Sequence, residues 1–317
     1  MYGFVLAHAS GRAVILPDLV ADGTQLVNEP GYIDKVAAAG NTLAFDAVFD
    51  ERRVTAALAK YAVTAYSART PGLGAPTRNV TLRGENIAST ALSHVASAAH
   101  VALDCPLWRV SAASLSQYEG YVLDILAALV PSPPRVRLVD RVVSRLAAKT
   151  TSGTFAALHL RYEEDWYRHC AVWTAIADGR IRDNCGLLSA DELIGKLRTF
   201  GLSKETPLYV ATQTAQLRDP AVLAALRREF TVVMKEDLLP AATLTALTRE
   251  EAALIEYFVA MRAAIFVGNS VSTFSALVIM ERRAVGAVAT WYNGGDIPLE
   301  GMMPFFRMPW IFTYNDL

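Results

Sequence analysis

An α/β fold built on parallel sheet is what the sequence predicts, and three observations predict it. The first is the stretch Thr154-Phe155-Ala156-Ala157-Leu158-His159-Leu160-Arg161-Tyr162-Glu163-Glu164-Asp165, where an apolar run rich in strand formers stops at an arginine and carboxylates. A strand buried on both faces reads as a continuous apolar run, and in an open parallel sheet its carboxyl end opens onto a ligand site. The second is the alternation of strand-like and helix-like segments downstream, the pattern of a parallel, Rossmann-like sheet with right-handed crossovers. The third is Pro131-Ser132-Pro133-Pro134, which breaks both kinds of element. In a chain of 317 residues, longer than one core usually supports, it marks a boundary between domains 1–132 and 133–317.

Taken in order, residues 3–9 are apolar with a helical period, and Gly11 ends that helix. Ala13-Val14-Ile15-Leu16 reads as a strand stopped by Pro17, and a polar loop leads to Val36–Ala39 and a turn at Gly40-Asn41. Phe45, Val48 and Phe49 lie among acidic residues, and Arg52 to Tyr61 returns to helical spacing. Residues 68–79, with Pro71, Gly72, Gly74 and Pro76, read as an exposed loop. Small residues from Glu85 to Ala102 predict a close-packed helix, Leu107–Val110 a short strand, and Tyr118–Val130 an amphipathic helix. In the second half Arg137–Ala148 is helical and residues 154–160 form the strand. Ser189-Ala190-Asp191-Glu192 has capping-box spacing and opens a helix to Phe200. Strands follow at Leu208–Ala211, Thr231–Met234, Ala264–Val267 and Val285–Ala289, separated for the most part by helices at Pro220–Glu229, Arg249–Arg262 and Phe274–Arg283.

A hydrophobic fraction of 53% against 19% charged residues supports a large core and excludes a disordered chain. A net charge of -1 without a basic cluster leaves no electrostatic footprint for nucleic acid. The longest apolar region, Ala263 to Met280, is interrupted by Gly268, Asn269, Ser270, Ser272 and Thr273, so no membrane span is expected. Met1 to His8 has neither a basic leader nor a long apolar stretch, which reads as a soluble chain or one whose signal or anchor lies elsewhere. Cys105, Cys170 and Cys185 allow one bridge and one free thiol; on the residues alone, reduced and half-buried thiols are the simpler reading. Asn79-Val80-Thr81 is a glycosylation triplet of a kind that also arises by chance.

The chemistry is expected where strands end. The residues there are Arg161, then Thr212-Gln213, Lys235-Glu236, Gly268-Asn269-Ser270-Val271-Ser272-Thr273, and Thr290-Trp291. The fourth of these is a polar, small-residue turn running into a helix, so backbone N–H groups and hydroxyls converge as in an anion site; a serine-rich helix cap is the plainer alternative. Arg161 on the same rim favours phosphate. There is no Gly-x-Gly-x-x-Gly, Gly-Lys-Ser or Asp-x-Asp, and no metal-spaced His/Cys cluster, so a diphosphate would be neutralised by arginine and helix N–H groups. The turn nearly matches a hydrolase nucleophile elbow, but its last glycine is missing and no histidine follows His169. His159 on its own reads as a core histidine, Glu163 and Asp165 as counter-ions of Arg161 or catalytic carboxylates, and Trp166 and Trp291 as packing or stacking residues.

His159-Leu160-Arg161-Tyr162-Glu163-Glu164-Asp165 resembles the His-Leu-Arg-Phe-Glu-x-Asp motif of the plant-type protein O-fucosyltransferase family. Further similarities follow in the same order: the pair Cys170 and Cys185, the strand Leu208-Tyr209-Val210-Ala211-Thr212, the run Lys235-Glu236-Asp237-Leu238-Leu239-Pro240, and Ala253–Val267 leading to Val271-Ser272-Thr273-Phe274-Ser275. The resemblance is good from about Phe155 to Glu281 and weaker over Gly3–Asp18 and Phe45–Asp50.

The resemblance implies a GT-B-like fold of two Rossmann-like domains, the N-terminal one on the acceptor side and lacking its first strand, the C-terminal one holding the nucleotide sugar. It implies an inverting, metal-independent transfer of fucose from GDP-fucose to a hydroxyl of a protein or glycan, with no cofactor besides the donor substrate. Arg161 would bind the β-phosphate and stabilise the leaving GDP, with Glu163 and Asp165 beside it as catalytic candidates. Ser272, Thr273, Phe274 and Ser275 would line phosphate and sugar, and His159, Thr212 and Gln213 would lie with the donor. It also implies a Cys170–Cys185 bridge, a monomer, and a place in the secretory pathway. The sequence departs from the family at Glu256, commonly Asp, and at Gln213, often acidic. A non-catalytic or truncated binding relative, and a rhamnosyltransferase, are the alternatives.

Overall fold

The computed structural model describes residues 2–20, 42–73, 78–81, 101–104, 118–164, 166–167, 188–269 and 272–293. They fall into two compact units, one drawn from Met1–Val136 with Thr248–Glu251, the other from Arg137–Leu247 with Ala252–Met302. None of the described helices is long and apolar enough to cross a membrane.

The first unit runs α1 (Tyr2–Ser10), β1 (Val14–Leu16), β2 (Leu19–Val20), β3 (Thr42–Leu43), α2 (Phe45–Val48), α3 (Glu51–Ala59), β4 (Ala65–Ser67), β5 (Arg78–Thr81), β6 (Val101–Asp104) and α4 (Glu119–Ala128). β1 pairs with β4 and β5 with β6 in parallel, while β2 and β3 are antiparallel. α3 begins where the Asp50 carboxylate accepts from the Arg52 and Arg53 amides at 3.1 and 3.3 Å, a cap of about 1 kcal/mol. The Tyr121 ring stacks on His8 and meets Tyr61 edge-on, both at 4.8 Å, and its hydroxyl donates to the Phe4 carbonyl at 2.8 Å. That satisfied phenol lets a large ring tie α1 to α4 in the core.

Two expectations fail here. Arg78 and Asn79, read as loop, and Val101 and Ala102, read as the end of a helix, are strand residues paired with each other in register. Strand preference depends on the partner and the face it packs against, and neither is visible in a local stretch. The helix expected from Glu85, up to residue 100, and the strand expected at Leu107–Val110 lie outside the described residues.

In α5 (Pro133–Ala147) the two prolines form the first helical turn instead of breaking it, because that turn leaves its N–H groups unbonded in any case. The second unit continues with β7 (Ala156–His159), α6 (Ala190–Thr199), β8 (Leu208–Ala211), α7 (Pro220–Glu229), β9 (Val232–Val233), α8 (Lys235–Leu238), α9 (Ala241–Thr245), α10 (Arg249–Met261), β10 (Ile265–Gly268), α11 (Thr273–Ala284) and β11 (Val288–Trp291). Its sheet is wholly parallel in the order β11-β10-β7-β8-β9. Every residue of β7 and β8 is buried, as continuous apolar strands require when helices cover both faces. On one face Ala157, Tyr209 and Phe266 pack with Val142 and Leu146 of α5, Val259 of α10 and Val278 of α11. On the other Ala156, Leu158 and Val210 pack with Leu193 and Leu197 of α6 and Leu226 of α7. Each such buried valine or leucine side chain contributes roughly 1.5–3 kcal/mol.

The strand order has a functional consequence. From β7 the chain builds outward through β8 and β9, then returns to lay β10 against the opposite edge of β7. The order therefore reverses between β7 and β10, and the crevice at such a reversal is where open α/β sheets bind ligands.

The last strand lies three residues later than Val285–Ala289. α11 persists to Ala284, and Gly286, at φ 71°, turns the chain in the left-handed region before the strand starts. Val285 is accordingly 76% exposed. The residues at the open end of β11 are thus Tyr292 and Asn293, not Thr290-Trp291. Arg282 holds this corner. Its side chain is buried and donates to the carbonyls of Ala260, Met261, Ala264 and Val288 at 2.8–3.1 Å.

Candidate active site at the ends of β7, β8 and β10

Arg161 leaves the end of β7 just after Leu160, whose amide donates to Ala211 of β8 at 3.0 Å and continues the ladder past the strand. Its Nη1 donates to Glu163 Oε2 at 2.8 Å, and its guanidinium carbon lies 5.3 Å from the centre of the Trp166 ring, within cation–π range. The Arg161 side chain is 19% exposed while Glu163 is buried. Glu163 faces inward: its Oε1 accepts from the Thr212 hydroxyl at 3.1 Å and the Gln213 amide at 3.2 Å. Both of its oxygens therefore serve as acceptors, one for the arginine and one for the turn after β8. Arg161, Glu163, Thr212 and Gln213 form one hydrogen-bonded group.

A second group forms at the end of β10. A Cβ on Gly268 would lie 2.5 Å from Ser275 Oγ and 2.9 Å from the Phe266 ring, so only glycine allows α11 to approach β10 this closely. That approach puts Ser275 Oγ 2.9 Å from the Asn269 amide, which donates to it, and 2.8 Å from His159 Nδ1. Phe274 tilts against the His159 ring at 4.4 Å. Burial, reinforced by the nearby Arg161 cation, pushes the His159 imidazole down to about 3, so the ring is neutral at physiological pH. His159 thus packs in the core, as the residues alone predict, with the Ser275 side chain as its hydrogen-bond partner. Ser272 begins α11 but makes no side-chain capping bond, and no acidic residue occupies the first turn. Helix N–H groups and partial positive charge there suit an anion.

Tyr292 joins the two groups. Its hydroxyl accepts from the Arg161 amide at 3.2 Å and from Asn269 Nδ2 at 3.1 Å, so one phenol pins the chain on both sides of the β7/β10 crevice. Burial raises its pKa far above the working range, keeping it a neutral hydroxyl. Sequence reasoning passes over this residue because it ends the strand at Ala289, two positions early. The signal that exposes it is Gly286 after Arg282-Arg283, basic residues and then glycine at a helix end.

Lys235 and Glu236 follow β9, but the Lys235 ammonium turns inward. It donates to the Thr212 carbonyl at 2.8 Å and to Glu256 Oε1 at 3.0 Å, and it pairs with Glu236 Oε1 at 3.3 Å. Burial, only partly opposed by Lys235, lifts the Glu256 carboxyl to about 7. Trp291 is the last residue of β11, and the Arg283 guanidinium lies 5.3 Å from the centre of its ring. Asp165, Cys170, Cys185, Ser270 and Val271 lie outside the described residues, and so does the expected disulfide. Among the described residues no cluster of His, Cys, Asp and Glu is grouped to hold a metal ion.

Comparison with known proteins bears on the family and the fold. The family described as GDP-fucose protein O-fucosyltransferase matches residues 3–285. O-fucosyltransferase 23 of Arabidopsis thaliana is 30% identical over 174 residues, which is 48% of this chain and 36% of that protein. Among solved structures, the apo-form of POFUT1 aligns with a TM-score of 0.53 at 16% identity over 92% of both chains. POFUT1 in complex with GDP-fucose aligns with a TM-score of 0.54 at 15% identity, again over 92% of both. At such identity the structures speak to the fold, which is the GT-B-like α/β fold expected from the sequence. With the family description covering most of the chain, and the motif residues Arg161, Thr212 and Ser272–Ser275 at the strand ends of that fold, the chain belongs to the GDP-fucose protein O-fucosyltransferase family.

Proposed function

We propose that this chain is an inverting, metal-independent fucosyltransferase that moves fucose from GDP-fucose to a hydroxyl of a protein or glycan in the secretory pathway. The observation that carries the reading is Arg161. It follows β7 at the β7/β10 reversal with its side chain 19% exposed, bonded to the buried Glu163 and beside Trp166. As the glycosidic bond breaks, negative charge grows on the departing diphosphate. A pre-positioned guanidinium then interacts more strongly with the transition state than with the bound donor. The N-terminus of α11, with Ser272, Thr273 and Phe274, supplies backbone N–H groups on the other side of the crevice. Arg161 and these N–H groups take the part a divalent cation plays in other sugar-nucleotide sites.

Glu163 serves in this reading as the positioning carboxylate of Arg161, because both of its oxygens already accept hydrogen bonds. Thr212 and Gln213 likewise reach the donor site through Glu163. The test is turnover of radiolabelled GDP-fucose, with and without acceptor glycans and EDTA. Release of fucose or fucosylated product, undiminished by EDTA, is expected. Binding of GDP without turnover of any GDP- or UDP-sugar would make the chain a binding relative, and preferential turnover of a rhamnose donor would change the donor.

A further inference from the structure

We infer that Lys235 is a positioning residue for Arg161, acting through the turn after β8 and not by contact with the nucleotide sugar. The inference rests on the proposed donor site. A lysine just beyond a strand end, on the rim of a phosphate site, would ordinarily be taken for an anion ligand. Here the ammonium has only three N–H groups. Two of them go to the Thr212 carbonyl at 2.8 Å and Glu256 at 3.0 Å, and the Glu236 carboxylate pairs with the charge at 3.3 Å. The Lys235 side chain is only 12% exposed, so its ammonium is turned inward and largely withdrawn from a ligand on the rim.

What Lys235 holds is more informative than what it lacks. Its bond to the Thr212 carbonyl fixes the peptide between Thr212 and Gln213. From that peptide the Thr212 hydroxyl and the Gln213 amide both donate to Glu163 Oε1. The other oxygen of Glu163 receives Arg161 Nη1 at 2.8 Å. The sequence of contacts is thus ammonium, carbonyl, paired donors, carboxylate, guanidinium. Thr212, Glu163 and Glu256 are all buried, so none of these bonds is readily exchanged for water. Without the Nζ the turn loses its internal anchor, Glu163 loses two aligned donors, and the guanidinium is no longer constrained where the leaving diphosphate develops charge. Displacements of about 1 Å at a catalytic group cost on the order of 10²-fold in rate, so a partial loosening is expected to cost about 10-fold or more.

The variant to make is Lys235→Met combined with Glu256→Gln, which removes the ammonium without leaving a buried carboxylate unpaired. In the full chain, kcat for GDP-fucose turnover should fall about 10-fold or more while the donor KM changes less than about threefold. On a Glu163→Gln background the same substitutions should cost little further, since residues in one network are not additive. Hydrogen exchange gives a readout that needs no turnover. The Gln213 amide should exchange faster in the double variant while amides of β8 and α10 keep their protection. Unchanged Gln213 exchange, or fully additive losses with Glu163→Gln, would overturn the inference. If the wild-type chain turned over no GDP-fucose, the fucosyltransferase reading would fail and the exchange comparison would still decide the role of Lys235. Should the double variant not fold, Thr212→Val breaks the next link, and a normal kcat and normal Gln213 exchange in it would overturn the inference equally.

Discussion

Arg161 and Arg282 belong to the same sheet unit and have opposite surroundings. Arg282 is 1% exposed, and its five guanidinium N–H groups make five bonds to four backbone carbonyls. Among the described residues no carboxylate pairs with it. Arg161 bonds the buried Glu163 carboxylate and lies beside the Trp166 ring, and its side chain keeps 19% exposure. The contrast shows that an arginine's role is set by what takes its N–H groups. Carbonyls at helix and strand ends make Arg282 a staple, because the fork of donors satisfies groups that the ends of α10 and β11 leave open. For Arg161 a buried carboxylate, itself held by the turn after β8, takes one of those N–H groups.

The comparison can be broken most forcefully at Arg282. Replacing it with Met leaves several buried carbonyls without donors, each worth about 1–3 kcal/mol, so a loss on the order of 4 kcal/mol or more is expected. Urea denaturation measures it, and turnover per folded molecule should change little. Arg161→Lys should do the reverse. Lysine presents a point charge where arginine offers a planar fork, so kcat is expected to fall on the order of 10²–10³ while the donor KM and the thermal midpoint stay near wild type. If that variant kept near-normal kcat, Arg161 would be a counter-ion of Glu163 and the two arginines would both be structural.

The sequence neighbour of Arg282 sharpens the comparison further. Glu281 takes a hydrogen bond from the Tyr257 hydroxyl at 2.5 Å, and burial raises its pKa from 4.5 to about 7. A carboxyl whose folded pKa is raised binds its proton more tightly when folded. Its contribution is therefore complete below about 4.5 and is lost as pH rises through about 7. Across that window wild-type stability should carry a downward component of roughly 3 kcal/mol that Glu281→Gln lacks. The glutamine variant should thus gain relative to wild type between pH 5 and pH 8 in parallel urea titrations. A difference independent of pH would mean that Glu281 is ionised throughout.

The elements of the second unit were legible because each carries a strong local signal. β8 and α7 fall on Leu208–Ala211 and Pro220–Glu229 as expected, the first a bounded apolar run, the second opened by Asp219 and Pro220. Arg161 was legible too, because a charge that interrupts a buried strand must lie at its open end. The first unit was harder to read: β5 and β6 have meaning only as a pair, and β4 is three residues long.

What the sequence by itself determined is the local and the periodic: the fold class, most strands and helices of the second unit, the family, and the residues gathered at the strand ends. Only the tertiary structure decided which way those residues face. Lys235 and Arg161 both follow strands, yet the Lys235 ammonium turns inward onto the Thr212 carbonyl and Glu256 at 12% exposure, while the Arg161 side chain bonds Glu163 at 19% exposure. Glu163 holds Arg161 because the turn after β8, some fifty residues on, supplies its two donors. Tyr292 spans the crevice because β11 and β10 share a register that brings its hydroxyl to Arg161 and Asn269. The physical reason is one of range. Hydrophobic period and capping act within a few residues, whereas the partner of a buried polar group is chosen by the strand order and packing that bring distant segments together.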